Sequence, residues 1–343
     1  MSRRHTIVLS AIAVAILLLL PPGLLAGGVD LSPKDVWNAL LSQGDDNNGG
    51  DIARFIVVES RLPAVLTALL AGAALSIAGL LMQTCFNNPL AGPSIMGISS
   101  GASLGVAIVL LATGGLVGLW GRVAVAGGAF AGAAAILAIL LIFSSSVRST
   151  DVLLIVGILI GYLATSAISL LNFFSTERAV HSYVLWGLGT FSGVSIDILP
   201  LFAVLVIALI CASLLYSKSL NAMLLGTQYA ESVGVSTGRA RTGILLLSGA
   251  LTAVVTAWCG PIGFIGLVVP HIARMVLGSS NHRVLLPACA LCGALLGIVC
   301  QIISVWPSLS KGAVIPVNAI TPVIGVPVII YVLLNRRRLL YFN

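Results

Sequence analysis

Charge is what this sequence has least of. Only 8% of its 343 residues are Asp, Glu, Lys or Arg, while 59% are hydrophobic. A soluble domain is about a quarter charged, so this chain could not cover a folded surface in water. Lysine occurs only at Lys34, Lys218 and Lys311, and none of them closes a GxxxxGK[ST] phosphate loop. ATP hydrolysis by that route is excluded. No acidic residue follows Glu231, and no ionisable group sits securely in the middle of an apolar run. That disfavours ion-coupled transport, which keeps Asp, Glu or His at mid-membrane depth, although carbonyls at broken helices also hold sodium. HExxH is absent, as is GxSxG in a strand–turn–helix setting. His5, His181 and His282 fall at ends or in loops, and His271 beside Pro270 reads as a structural histidine before a relay. No nucleophile converges with a base, so no catalytic residue is assigned. Of the six cysteines, Cys289 and Cys292 have redox or metal spacing, but no second pair, His or carboxylate lies close enough in sequence to complete a site. Apolar packing is the reading taken, with no metal and no cofactor in the chain.

Long apolar runs are what the sequence does have. Mean hydropathy is +1.13, and stretches of helix-spanning length recur from end to end. The pattern predicts an all-α polytopic membrane protein, not the weak alternation of a barrel. About ten spans are expected, at roughly 5–27, 61–82, 94–112, 122–143, 152–172, 197–217, 240–259, 262–278, 284–303 and 314–334. The start, MSRRHTIVLS, has the basic-then-apolar order of a signal peptide; it is read as a retained first span, because no soluble domain needing export follows. The net charge of +7 could point to nucleic acid or acidic lipid. Retained cytoplasmic Lys and Arg explain it more simply, so no nucleic-acid partner is assigned. With the N-terminus inside, Arg3, Arg4, Arg148, Lys218, Arg239, Arg241, Arg283 and Arg336 to Arg338 share one side. Lys34, Arg54, Arg61, Arg122, Arg178 and Lys311 take the other. Both termini are then cytoplasmic.

Two segments are more than connectors. Residues 28–60 form an outer loop with a mobile-looking GDDNNGGD middle. Residues 218–239 form an inner segment in which Leu224, Leu225, Tyr229 and Val233 fit one face of a short helix, suited to lipid or to a docking partner. Glycines repeat at four-residue spacing at 97/101/105, 157/161 and 293/297, which lets helices approach closely in lipid. The first set continues the stretch Asn87–Gly105, where Pro89 and Pro93 break the helix. Two readings stay open there: a pathway wall furnished with the hydroxyls of Ser99, Ser100 and Ser103, or a tight turn followed by a packing helix.

Three ordered blocks carry a resemblance. They are Leu81-Met82-Gln83 with Asn88-Pro89-Leu90-Ala91 and Gly97-Ile98-Ser99-Ser100-Gly101-Ala102; Gly260–Arg274 (GPIGFIGLVVPHIAR) with Asn281-His282-Arg283 and Leu285-Leu286-Pro287; and Ile315-Pro316-Val317 with Ile324-Gly325-Val326-Pro327. Over about residues 55–335 the chain resembles the FecCD-type ABC importer permeases, which take up iron–siderophore complexes, haem and vitamin B12. The resemblance implies a type II importer permease, one transmembrane domain over residues 1–343 of the bacterial inner membrane, working as a homodimer with the substrate path at the dimer interface. Two separate ATPase subunits would bind ATP and Mg inside, and a periplasmic or lipid-anchored binding protein would dock outside. It carries over Leu224, Leu225, Gly226, Ala230, Gly234 and Val235 as the ATPase contact. Met82, Gln83, Asn88, Pro89, Gly97, Ser99, Ser100 and Gly101 are carried over as pathway. Gly260, Pro261, Gly263, Phe264, Gly266, Pro270, His271 and Arg274 are the family motif. Docking falls to Arg61, helped by Arg54, Arg178 or Lys311. Ala64, Ser304, Cys300, Thr227 and Gln228 depart from the family pattern. On family breadth the cargo reading leans to iron chelates, with cobalamin second. A channel, for which no filter is visible, and an ion-coupled transporter are the readings of another class.

Overall fold

The protein is helical in a computed structural model that describes residues 3–41, 52–112, 119–147, 150–306 and 314–334, and no strand occurs among them. In chain order the helices are α1 (Arg3–Leu25), α2 (Pro33–Leu40), α3 (Leu62–Cys85), α4 (Ile98–Ala112), α5 (Leu119–Ser146), α6 (Thr150–Phe174) and α7 (Glu177–Gly187). They continue with α8 (Leu199–Leu215), α9 (Ser217–Met223), α10 (Thr227–Ser232), α11 (Thr237–Cys259), α12 (Ile265–Leu277), α13 (His282–Ser304) and α14 (Val317–Leu334). Among the described residues, six helices have the length and apolar composition to cross a membrane: α1, a 34-residue helix ending in α3, α5, α6, α11 and α13. Helices α4, α12 and α14 are shorter apolar helices, and α8 is joined to α9 at a 53° bend. These apolar helices stand at the expected span positions.

Part of the segment read as an outer loop, residues 28–60, is helical. Ser32 and Asp35 form a reciprocal capping box at the start of α2 (Asp35 N to Ser32 Oγ 3.2 Å, Ser32 N to Asp35 Oδ2 3.0 Å). The hydrogen bonds from Ser32, side chain first, hold the Asp35 carboxyl below its ordinary range. Its GDDNNGGD middle lies outside the described residues. A π-helical turn, Phe55–Arg61, leads into α3. It ends two residues before Pro63, which has no N–H for the regular helical ladder.

Helix α3 is the centre. In its most apolar window 83% of residues are buried, against 6% for α1 and 22% for α5 and α6. It packs on α13, α11, α12 and α8. Its sequence is apolar on every face and rich in Ala and Gly, which suits a helix surrounded by others. The contacts are made backbone to backbone. A Cβ on Gly72 would lie 2.1 Å from the Gly293 carbonyl oxygen, and one on Gly297 would lie 2.1 Å from that of Ala68. A Cβ on Gly79 would meet the Gly266 oxygen at 1.7 Å. That carbonyl faces position 270 of α12, where proline offers no N–H in return. Helices α4 and α5 interlock the same way through Gly101 with Gly132 and Gly105 with Gly128, and Gly97 nests against Gly157 and Gly161 of α6.

The glycine set 97/101/105 is thus occupied by helix packing. Gly127 of α5, by contrast, has nothing within 4 Å of the point where an added methyl would stand. In detergent melts, Gly79→Ala should be destabilised by at least about 1–3 kcal/mol, as overpacking is, whereas Gly127→Ala should match the native protein. Equal melting of the two variants would contradict the interlock.

Candidate functional site

The interruption after α3 is a turn whose Ala91, Gly92 and Pro93 are buried while Asn87 and Leu90 are exposed. Asn87 adopts φ +45 and Gly97 φ +77. The Asn88 side chain accepts the Leu90 N–H at 2.9 Å, and the Gly92 carbonyl turns the chain into α4. The Pro89 carbonyl accepts the Nε2–H of His271 at 2.9 Å, so His271 ties this turn to α12. Next to it, Gln83 donates to the Leu267 carbonyl at 3.0 Å and accepts Arg274 Nη1 at 2.8 Å. Met82, Gln83, Gly97 and Gly101 are all buried within this one chain, while Ser99, Ser100, Asn88 and Pro89 are half-buried. Of the two readings of this stretch, the turn with a packing helix describes what the glycines do. A Gly101→Leu chain would not isolate a pathway defect, because its Cβ alone meets Ile136 at 2.2 Å.

His282 proves to be a fully buried junction, not a loop residue. It bonds Thr84 of α3 at 2.9 Å and Asn221 of α9 at 2.9 Å. Position alone hid this; the Asn-His-Arg block was the available signal.

The inner segment is two short helices instead of one. Gly226 at φ +101 separates α9 from α10. A Schellman motif ends α10: Val235 N–H bonds the Ala230 carbonyl at 2.9 Å, Gly234 N–H bonds that of Glu231 at 3.0 Å, and Gly234 sits at φ +84. Glycine at both places has a conformational reason. Ala230 is fully buried, and Leu224 and Val235 are half-buried. Leu225, Tyr229 and Val233 project outward, 65%, 48% and 53% exposed. Three apolar side chains on a turn-and-helix ridge make a surface ready for a partner.

At the other end of the bundle the family-like block forms a knot of irregular backbone. Helix α12 has 13 residues, or about 20 Å at 1.5 Å per residue, too short for a hydrocarbon core of about 30 Å. A span completed by the turn Gly260–Phe264 needs that irregular backbone covered and bonded. Asn318 does this. Its Nδ2 donates to the carbonyls of Gly187 (3.1 Å) and Pro261 (2.5 Å), and its Oδ1 accepts the Gly263 N–H (3.1 Å). Val317 N–H bonds Gly189 and Thr190 N–H bonds Cys259. A Cβ at Gly260, φ +75, would lie 2.5 Å from the Trp186 carbonyl oxygen, and Phe264 is held at φ +67. One amide thus joins the end of α7, the α11–α12 turn and the start of α14.

The expected docking cations separate by exposure. Arg61 is buried, and its guanidinium donates to the carbonyls of Leu24 (2.9 Å), Leu25 (2.8 Å) and Val29. It caps the C-terminal end of α1, the end that attracts cations. Arg54 is exposed. Lys311 lies outside the described residues. Five of the six cysteines are buried, Cys211 is exposed, and all are free thiols. Among the described residues no three His, Cys, Asp or Glu side chains gather in metal-binding range.

The chain as a whole is similar to a solved structure described as an inward-facing conformation of a putative metal-chelate type ABC transporter. The TM-score is 0.79 at 28% identity, covering 96% of this chain and 98% of that one. The model of the FecCD transport family matches residues 11–335. The chain belongs to the FecCD transport family. Curated relatives include the vitamin B12 import system permease protein BtuC of Citrobacter koseri, 37% identical over 98% of this chain and 96% of that protein. BtuC of Salmonella typhi is 36% identical over 98% and 97%. In this FecCD member the blocks that carried the resemblance are built into turns, caps and helix contacts. His271, Arg274, Gly266 and Gly260 each have a structural partner named above.

Replacing Asn318 with Ala would strand three bonded backbone groups, each costing about 1–3 kcal/mol when buried without a partner. The Asn318→Ala protein should melt well below the native one in detergent; an unchanged midpoint would mean the knot does not depend on it. Arg61→Lys should also lower the midpoint, since one ammonium cannot reproduce the guanidinium fork, while Arg54→Lys should leave it unmoved.

Proposed function

We propose that this FecCD-family chain is the permease subunit of an ATP-binding-cassette importer of the bacterial inner membrane, with cobalamin as its cargo. The observation that carries the reading is the end-to-end likeness to vitamin B12 import permeases. It reverses the order of cargoes read from sequence, where iron chelates stood first. The chain itself makes and breaks no covalent bond in the substrate. ATP and Mg belong to a partner subunit, for which the exposed ridge Leu225, Tyr229 and Val233 is the contact, framed by Gly226 and Gly234.

In the proposed assembly two copies pack around the pathway, each with a cytoplasmic N-terminus. The apolar face that α6 leaves exposed, with Leu159, Tyr162 and Leu163, lies on the helix that receives Gly97. The half-buried hydroxyls of Ser99 and Ser100 are the pathway groups in this reading, and Met82, Gln83, Gly97 and Gly101 support them. A loaded binding protein docks on the outer loops, where Arg54 offers an exposed positive charge and Arg61 shapes the corner between α1 and α2. ATP binding then closes the ATPase pair, and the ridge passes that movement to the spans.

A strain lacking the gene should lose uptake of labelled cobalamin and keep uptake of labelled ferric siderophore and haem. Loss of one of the other cargoes instead would reassign the substrate, and loss of none would reject import by this chain. Leu225→Glu should abolish co-purification of the ATPase, because it places a charge at the centre of an apolar contact. Co-purification at native ratio would move the contact elsewhere.

A further inference from the structure

We infer that Asn221, His282 and Thr84 form the link through which the inner segment moves the helical core. The inference rests on the reading of that segment as the ATPase contact. Asn221 lies on α9, just before the exposed ridge. Its Oδ1 accepts two bonds from His282, from the backbone N–H at 2.8 Å and from Nδ1 at 2.9 Å. Its Nδ2 donates to Asn281 Oδ1 at 3.0 Å, the same oxygen that caps α13 by accepting the Arg283 N–H. An acceptor opposite Nδ1 makes that nitrogen the protonated one in neutral His282. Nε2 then accepts the Thr84 hydroxyl at 2.9 Å.

The chain of bonds therefore runs from α9, through the first turn of α13, to the end of α3. There Thr84 adjoins Gln83, which holds Arg274 and the Leu267 carbonyl of α12. The other α9 anchors, Leu220 and Met223, are buried apolar side chains. Apolar contact is non-directional and tolerates sliding; hydrogen bonds weaken steeply with misalignment. The polar set is what fixes the register of α9 on α13 and α3. A displacement of the ridge must either carry those helices along or break one of these bonds. Thr84 is remote from the ridge, which allows the link to be cut without touching the docking surface.

The test uses the complete transporter in liposomes, with radiolabelled cyanocobalamin as the probe. The native complex must first hydrolyse ATP faster when loaded binding protein is added; failure at that step counts against the importer reading and not against the link. Thr84→Val removes the hydroxyl at nearly constant shape, and Thr84→Ser keeps it. We expect Thr84→Val to lower stimulated hydrolysis and uptake about tenfold, within the range of ordinary coupling between sites, with the ATPase still co-purifying at native ratio. Thr84→Ser should restore both. Native coupling in Thr84→Val, equal impairment in Thr84→Ser, or loss of ATPase from Thr84→Val would each overturn the inference.

Discussion

Everything in this fold depends on helices meeting backbone to backbone. In lipid, apolar side chains gain little by touching each other instead of acyl chains, so close packing and polar contacts must hold the bundle. Around α3 the glycines answer this directly. Gly72 meets Gly293, Gly79 meets the carbonyl of Gly266, and Gly297 meets Ala68. The same contacts set the limits of motion. A glycine interface leaves no flexible side chain to absorb a shift, so α3 and α13 are suited to move as one body.

That rigidity makes the irregular places informative. Three breaks in the helices are tied down by long-range side-chain bonds: Pro89 by His271, Pro261 and Gly263 by Asn318, Val29 by Arg61. His271 and Asn318 serve carbonyls and an N–H that lipid could not satisfy, and Arg61 serves the carbonyls at the end of α1. Their cost of burial is offset by bonding, and the result is a frame whose breaks are fixed in position. Such breaks can line a path for a bulky solute without themselves binding it.

The helical spans were legible in sequence because each is a long apolar run, a signal that needs no knowledge of neighbours. The short helices α2 and α7 were not, because eight and eleven residues with mixed polarity look like loop when read alone. The inner segment was half legible. Its apolar spacing announced a helix, but Gly226 and the Schellman motif at Gly234 divide it. Least legible were the polar contacts. A sequence cannot say which carbonyl, nearly two hundred or some thirty-five positions away, will take the hydrogens of Gln83 or Arg61.

The same reasoning explains why the blocks that carried the resemblance are weak guides to cargo. Gly260, Gly266, His271 and Arg274 each meet a partner inside the chain, so their visible work here is to hold the frame. Selection among large chelates must then lie in surfaces the frame presents: the half-buried hydroxyls of α4, the exposed face of α6 and the outer loops. Those surfaces are completed by other chains in the proposed assembly. A pathway formed between two copies has no single-chain pocket to read, and its chemistry is written in exposed residues whose neighbours are contributed by symmetry.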